Sequence, residues 1–271
     1  MAEPLRLLGV SKRYASRGLW VLRGVDLELP PGSLTRIDGA NGSGKSTLLA
    51  LVAGISRPTR GRVTGGGRTA YVPERLPAVL PYDVSGYLDR LGAVHGLPAD
   101  EARRRAYHWL DLLGAASWVR APMASLSQGT TQKVALTQAL MSDADVLVLD
   151  EARTGLDAIS RAVLDQAISE RVAAGGSVVY VDHNRDAHQD PSTDTYQLAG
   201  GHLVPVPKDS RRQWLTFPSA PPPDLVEIEF EVGGQRQLVQ VGSSDSDDAL
   251  RRILSLPQHH VRSVRSVVPP A

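Results

Sequence analysis

Gly39-Ala40-Asn41-Gly42-Ser43-Gly44-Lys45-Ser46 fits the pattern G-x-x-x-x-G-K-[ST], and its neighbours decide what it is for. Leu34-Thr35-Arg36-Ile37 ahead of it reads as a strand, and Thr47-Leu48-Leu49-Ala50-Leu51-Val52-Ala53 behind it as a helix. A glycine-rich turn in that frame lets successive backbone N–H groups face a polyphosphate at a helix N-terminus, where residues with a Cβ would obstruct them. Asn41, Gly42, Ser43 and Gly44 then form the cradle, with Thr47 at its helical end. Lys45 reaches the β- and γ-phosphates, and Ser46 offers its hydroxyl to Mg2+. The pattern implies a site for a nucleoside triphosphate.

A second element lies 105 residues past Lys45, where Asp145-Val146-Leu147-Val148-Leu149-Asp150-Glu151 reads as a buried parallel strand bounded by acids. Asp150, at its carboxyl end, is placed to hold Mg2+ beside the glycine-rich loop. Neighbouring residues on a strand face opposite ways, so Glu151 is expected to have a separate task, as general base for an attacking water.

Bulk composition narrows the setting. The 271 residues suffice for one large α/β domain and a small appendage. Thirty basic residues balance 29 acidic ones, a net charge of +1 that gives no electrostatic case for a nucleic-acid partner. No segment approaches the roughly 20 apolar residues that span a bilayer. The opening Met1-Ala2-Glu3-Pro4-Leu5-Arg6 lacks a secretory signal pattern, and the chain has no cysteine, which fits a reducing compartment.

Along the chain, strands are expected at Leu5–Val10, Val25–Leu29, Leu34–Ile37 and Thr69–Val72. Helical spacing follows over Asp83–Gly96 and Ala99–Gly114, with Leu88, Leu91, Trp109, Leu112 and Leu113 as core positions. After the acidic strand come a helix near Ala158–Ala174, a strand at Ser177–Val181 and a hairpin through Gly200-Gly201. The fold class is therefore α/β: residues 1–206 as a nucleotide-binding domain with a helical subdomain at about 75–142. Residues 207–224 read as a proline-rich linker and 225–271 as an accessory α+β unit. In that unit Val226–Val232 alternates apolar and acidic residues, Gly233-Gly234 reads as a turn, Gln237–Val241 as the return strand, Asp245–Leu254 as a capped helix and His260–Val268 as a last strand. His259 and His260 are adjacent and on a strand would face opposite ways, which weighs against a metal site.

Leu126-Ser127-Gln128-Gly129-Thr130 opens a helix, with Ser127 standing 23 residues before Asp150. The Ser127 hydroxyl, the Gly129 N–H and the helix N-terminus make an anion site, whereas a plain serine N-cap would account for Ser127 alone. With this segment in place the chain resembles, over about residues 4–206, the nucleotide-binding subunit of ATP-binding-cassette (ABC) transporters, whose LSGGQ sequence it is similar to. The resemblance implies a P-loop ATPase core that binds ATP and Mg2+ and forms a head-to-tail dimer, with Ser127 and Gly129 facing the γ-phosphate held by a second nucleotide-binding subunit. It also implies that Thr154-Gly155-Leu156-Asp157 is the D-loop, with Asp157 at the dimer interface. It further implies that His183, 32 residues past Glu151, contacts the γ-phosphate and attacking water, and that Tyr14 stacks on adenine with Trp20 as its rival. Transmembrane permease subunits are the further partner, received by a groove at Arg75–Tyr87, which puts the protein on the cytoplasmic face of the membrane.

Three positions depart from the family pattern. Glu74, in Tyr71-Val72-Pro73-Glu74, stands where most members carry a glutamine on Mg2+; a carboxylate still ligates a hard cation. Export-type (ABC-2-like) members often show a similar sequence, so the resemblance implies an exporter. Thr130 replaces the final glutamine of LSGGQ, and Arg153 stands near the usual proline. A soluble ABC ATPase outside transport is the alternative, although such proteins usually carry tandem cassettes or a long coiled coil, and here there is one P-loop and no sustained heptad.

Overall fold

A computed structural model describes residues 3–16, 18–77, 80–182, 192–207, 225–232, 235–242 and 259–267. The chain divides into two compact units, Met1–Lys208 and Asp209–Ala271.

The first unit has a six-stranded sheet at its centre. Its strands are β3 (Leu34–Asp38), β5 (Thr69–Val72), β6 (Val146–Asp150), β7 (Ser177–Val181), β8 (Asp194–Ala199) and β9 (His202–Val206), in the order β5-β6-β7-β3-β8-β9. The first five are mutually parallel, and β9 returns antiparallel to β8. Burial on both faces explains why β6 and β7 read as unbroken apolar runs. Val146, Val148, Val179 and Val181 pack on one side, while Leu147, Leu149, Val178 and Tyr180 pack on the other.

The first side is roofed by α1 (Lys45–Val52) and by an antiparallel sheet of β2 (Leu22–Leu29), β1 (Leu5–Lys12) and β4 (Arg60–Thr64). The other side carries α4 (Gln128–Leu140) and α5 (Ala158–Ala173). A third cluster joins α2 (Val84–Val94) and α3 (Ala99–Leu112) to the root of α4 through Leu88, Leu110, Val134 and Met141. Side chains cap the starts of α2, α4 and α5. Asp83 accepts the Gly86 N–H at 2.7 Å, Ser127 that of Thr130 at 3.2 Å, and Asp157 that of Ser160 at 2.8 Å.

Two expectations need correction. Leu112 is 42 % exposed rather than core. The buried face of α3 runs through Ala102, Ala106 and Leu110, and Leu112, two residues on, falls about 200° around the helix from Leu110. Strand β4 is an element the sequence reading omitted; Arg60-Gly61-Arg62 is exposed at the sheet edge and leaves no alternation to detect.

The second unit holds an antiparallel sheet of β11 (Gln235–Gly242), β10 (Leu225–Val232) and β12 (His259–Val267), in that order. Ile228 is buried there, and the Ser263 hydroxyl donates to Glu229 at 3.3 Å. The expected turn at Gly233-Gly234, the helix at Asp245–Leu254, most of the 207–224 linker and His183 lie outside the described residues.

Candidate functional site

Strands β3, β6 and β7 run parallel, so their carboxyl ends lie together at one edge of the sheet. That edge is where open α/β sheets bind ligands. A cleft of about 420 Å3 opens there, lined by Tyr14, Val21, Asn41, Gly42, Gly44, Lys45, Ser46, Thr47, Glu74 and Glu151.

The loop between β3 and α1 is shaped by its backbone. Gly44 has φ +105, and a Cβ placed on it would stand 2.9 Å from Val21 Cγ1, so both torsion and space demand glycine. Helix α1 begins at the next residue. Lys45 is only 8 % exposed, and its ammonium donates to the carbonyls of Gly39 at 2.8 Å and Ala40 at 3.1 Å. Those two bonds hold the loop closed on its own lysine. Ser43 does not line the cleft, and its hydroxyl is buried without a hydrogen-bond partner among the described residues.

Asp150 lies beneath the cleft floor at 2 % exposure. The Ser46 hydroxyl is hydrogen-bonded to it, and the Tyr71 hydroxyl donates to its Oδ2 at 3.1 Å. Burial pushes the Asp150 carboxyl above its ordinary range, and the Glu74 charge adds to this; the bonds from Ser46 and Tyr71 and the Lys45 charge oppose it. Tyr71 is pushed well above the ordinary phenol range by burial first and by Asp150 second. The sequence reading quoted Tyr71 but gave it no role. No local sequence signal marks it: its place comes from the parallel pairing of β5 with β6, which brings Tyr71 beside Val148, two residues from Asp150.

Glu151 is not on the strand, contrary to expectation. Strand β6 ends at Asp150, and Glu151 has φ +50, the one non-glycine in the left-handed region among the described residues. The backbone turns there, so Asp150 stays buried while Glu151 reaches the same cleft from the turn. Glu74 lines the cleft too and lies 3.6 Å from the Arg75 guanidinium.

Tyr14 and Trp20 are separated by their surroundings. The Tyr14 ring is 71 % exposed, lines the cleft and meets the Thr47 hydroxyl at 3.1 Å, with the Lys12 ammonium 5.2 Å from its centroid. Trp20 is flanked by the guanidiniums of Arg13 at 4.7 Å and Arg60 at 5.2 Å and does not line the cleft.

The remaining candidates stand outside the cleft. Ser127 caps α4, and its hydroxyl pairs with that of Thr130 at 2.9 Å. Asp157 caps α5 and accepts from the Lys133 ammonium at 2.6 Å, and both contacts hold its carboxyl well below the usual carboxylate range, Lys133 foremost. Gly129 lies against Gly155, tying the start of α4 to the loop after Glu151.

The donor set suits a hard divalent cation brought by a nucleotide. Among the described residues no three His, Cys, Asp or Glu cluster as a metal cage. Mg2+ needs only one or two carboxylates beside substrate phosphates, and Asp150, Glu74 and the Ser46 hydroxyl meet that need.

Comparison with known proteins gives the same picture. The family model described as ABC transporter matches residues 22–154. A zinc import ATP-binding protein of Jannaschia sp. (strain CCS1) is 37 % identical over 179 residues, 64 % of this chain and 70 % of that protein. An aliphatic sulfonates import ATP-binding protein of Mesorhizobium japonicum is 35 % identical over 217 residues, 75 % of this chain and 80 % of its own length. Among solved structures, the dimeric post-hydrolysis state of an ATP-binding cassette bound to ADP and Pi superposes with TM-score 0.64 at 21 % identity, over 73 % of this chain and 96 % of that one.

Proposed function

The chain belongs to the ABC transporter family as an ATP-binding, ATP-hydrolysing subunit, and on that premise we propose that it drives export as half of a nucleotide-sandwich dimer. The observation that carries the reading is the split of the site. Lys45, Ser46, Thr47, Glu74 and Glu151 line one cleft, while Ser127, Gly129 and Asp157 lie outside it. A second copy, or a related subunit, would bring its own α4 N-terminus to the phosphates, where N–H groups favour an anion.

Within the cleft, Lys45 exchanges the Gly39 and Ala40 carbonyls for the β- and γ-phosphate oxygens. Tyr14 offers its exposed ring to the purine. Asp150, Ser46 and Glu74 would hold Mg2+, which when bound neutralises charge on the two terminal phosphates. Glu151 accepts a proton from the water whose oxygen attacks the γ-phosphorus, and the bond to the leaving ADP oxygen breaks. His183 would donate to the γ-phosphate from beyond β7.

Transmembrane subunits are the partners, docked on the helical subdomain at the cytoplasmic face of the membrane. No described helix of this chain is long and apolar enough to cross a bilayer itself. Tyr71-Val72-Pro73-Glu74 supports export. Import is the second reading, favoured by the similarity to zinc and sulfonate import ATP-binding proteins.

Two experiments test the proposal. Glu151→Gln keeps the shape of the side chain and removes the base, so ATP binding persists, turnover falls and an ATP-bound dimer accumulates. Near-normal steady-state hydrolysis in that variant overturns the assignment. For direction, inside-out vesicles carrying the complex take up cargo when ATP is added outside if it exports, and lose preloaded cargo if it imports. Purification without any polytopic membrane partner would favour a non-transport role.

A further inference from the structure

Glu151 sits in a backbone conformation that a glutamate does not choose. A left-handed torsion costs a residue with a Cβ about 1–2 kcal/mol, so it persists only where neighbours over-determine it. Two backbone bonds contribute. The Glu151 N–H donates to the Val181 carbonyl at 3.1 Å, and its own carbonyl accepts from Thr154 N at 3.0 Å. Between them stands Arg153, for which the sequence offered no role.

The Arg153 side chain is 18 % exposed and reaches two acids on different elements. It is ion-paired with Asp165 of α5, and its Nε lies 3.4 Å from Asp182 Oδ2. Asp182 directly follows β7 and precedes His183, and its side chain is 10 % exposed. Its carbonyl accepts from Arg36 Nη2 at 3.4 Å, and Arg36 Nε donates to Asp38, the last residue of β3, at 2.7 Å. A continuous set of charges therefore runs from the residue before the glycine-rich loop, past the end of β7, to the turn that carries Glu151. None of its members lines the cleft.

We propose that Arg153 is a positioning residue for Glu151: by bridging Asp182 and Asp165 it pins the turn Glu151–Thr154 to the end of β7 and to α5, and so aims the Glu151 carboxylate. The inference rests on the reading of Glu151 as general base. Arg suits the task because its planar fork serves two carboxylates at once, which a lysine ammonium does with less directional control. Asp182 is matched to it: a carboxylate this buried calls for a nearby cation, and Arg153 supplies one from the turn that carries Glu151.

The test compares Arg153→Ala, Arg153→Lys, Asp182→Asn and the double variant Arg153→Ala/Asp182→Asn with wild type and with Glu151→Gln. The readouts are kcat, KM for ATP, Tm and the fraction of ATP-bound dimer. Misaiming a catalytic group by a fraction of an ångström to an ångström costs roughly ten- to a hundredfold. Arg153→Ala should lower kcat by that factor with KM within about twofold, and should accumulate ATP-bound dimer as Glu151→Gln does. Arg153→Lys should restore part of kcat, and the double variant should be no slower than the worse single, since both remove one link. A fall in Tm with kcat unchanged would reduce Arg153 to a fold clamp and overturn the inference. So would a rise in KM with kcat unchanged, or additive losses in the double variant. If Arg153→Ala does not fold, Arg153→Lys and Asp182→Asn decide by the same split between kcat and KM. Glu151→Gln separates the two failures. Turnover surviving in it defeats the general-base reading, whereas turnover lost in it but normal in the Arg153 variants defeats this inference alone.

Discussion

Replacing Gly129 by alanine sets two opposed effects against each other at the joint between α4 and the loop after Glu151. The added Cβ would stand 2.7 Å from the Gly155 carbonyl oxygen, so one backbone must retreat by about 0.7 Å to reach an ordinary 3.4 Å contact. Neither yields freely. Lys133 holds Asp157 at 2.6 Å, Gln132 Nε2 donates to the Ala152 carbonyl at 3.3 Å, and Asp157 is committed to capping α5. Overpacking of this kind costs about 1–3 kcal/mol. Alanine for glycine contributes about 0.4–1 kcal/mol in the other direction, by restricting the unfolded chain. Overpacking wins, leaving a loss of about 1–2 kcal/mol, which lowers Tm by roughly 2–8 °C at this size. Turnover falls further, tenfold or more by the order of magnitude for a misplaced catalytic group, because the displaced loop begins at Glu151. ATP affinity of the monomer should stay within about twofold, since Gly129 does not line the nucleotide cleft of its own chain. Differential scanning fluorimetry, steady-state ATPase and a fluorescent-nucleotide titration measure the three quantities. An unchanged Tm together with wild-type ATPase would mean that the loop moves at no cost and that the Gly129–Gly155 contact positions nothing.

Asp150→Asn should raise Tm at pH 7 while abolishing Mg2+-dependent hydrolysis. The buried charge raises the carboxyl's folded pKa, so the fold is penalised above that value and relieved as pH falls through it. The Tm gap between variant and wild type should therefore shrink on acidification; a lower Tm in the variant at pH 7 would refute this. Tyr14→Ala should weaken ATP by about tenfold, the order of one lost base–aromatic stack, while Trp20→Ala changes it little. Equal losses in a nucleotide titration would reject Tyr14 as the purine platform. Truncation after Pro207 should leave ATP affinity intact and alter dimer stability or permease docking instead; a large loss of affinity in a still-folded domain would put the second unit in the active site.

What could be read from the sequence, and what could not, follows from how local each constraint is. The loop Gly39–Ser46 announces itself because torsion, helix start and phosphate chemistry all act within eight residues. Strands β6 and β7 were legible because burial on both faces leaves only apolar residues. Strand β4 was not, since an exposed edge strand of arginines and glycine carries no such pattern. Glu151 misled because the strand ends at Asp150, one residue before it, and the bond to Val181 that favours its turn comes from another strand. Tyr71 and the Arg153–Asp182 bridge were invisible for the same reason: each depends on which strands become neighbours, a fact of topology rather than of local pattern.

The three strands that deliver Lys45, Asp150 and Asp182 are all inner strands, each hydrogen-bonded on both sides. Their partners lie far apart along the chain, as in the pairing of Leu34 with Val178. Non-local parallel pairing is slow to form, because the chain loses loop entropy before the contacts repay it. The nucleotide pocket comes into being only when that assembly is complete. A ligand that recognises the finished sheet alone stabilises it by about 2.7 kcal/mol at a hundred times its Kd. ATP should therefore stabilise the folded domain as well as fuel it, and the melting temperature should rise with nucleotide concentration.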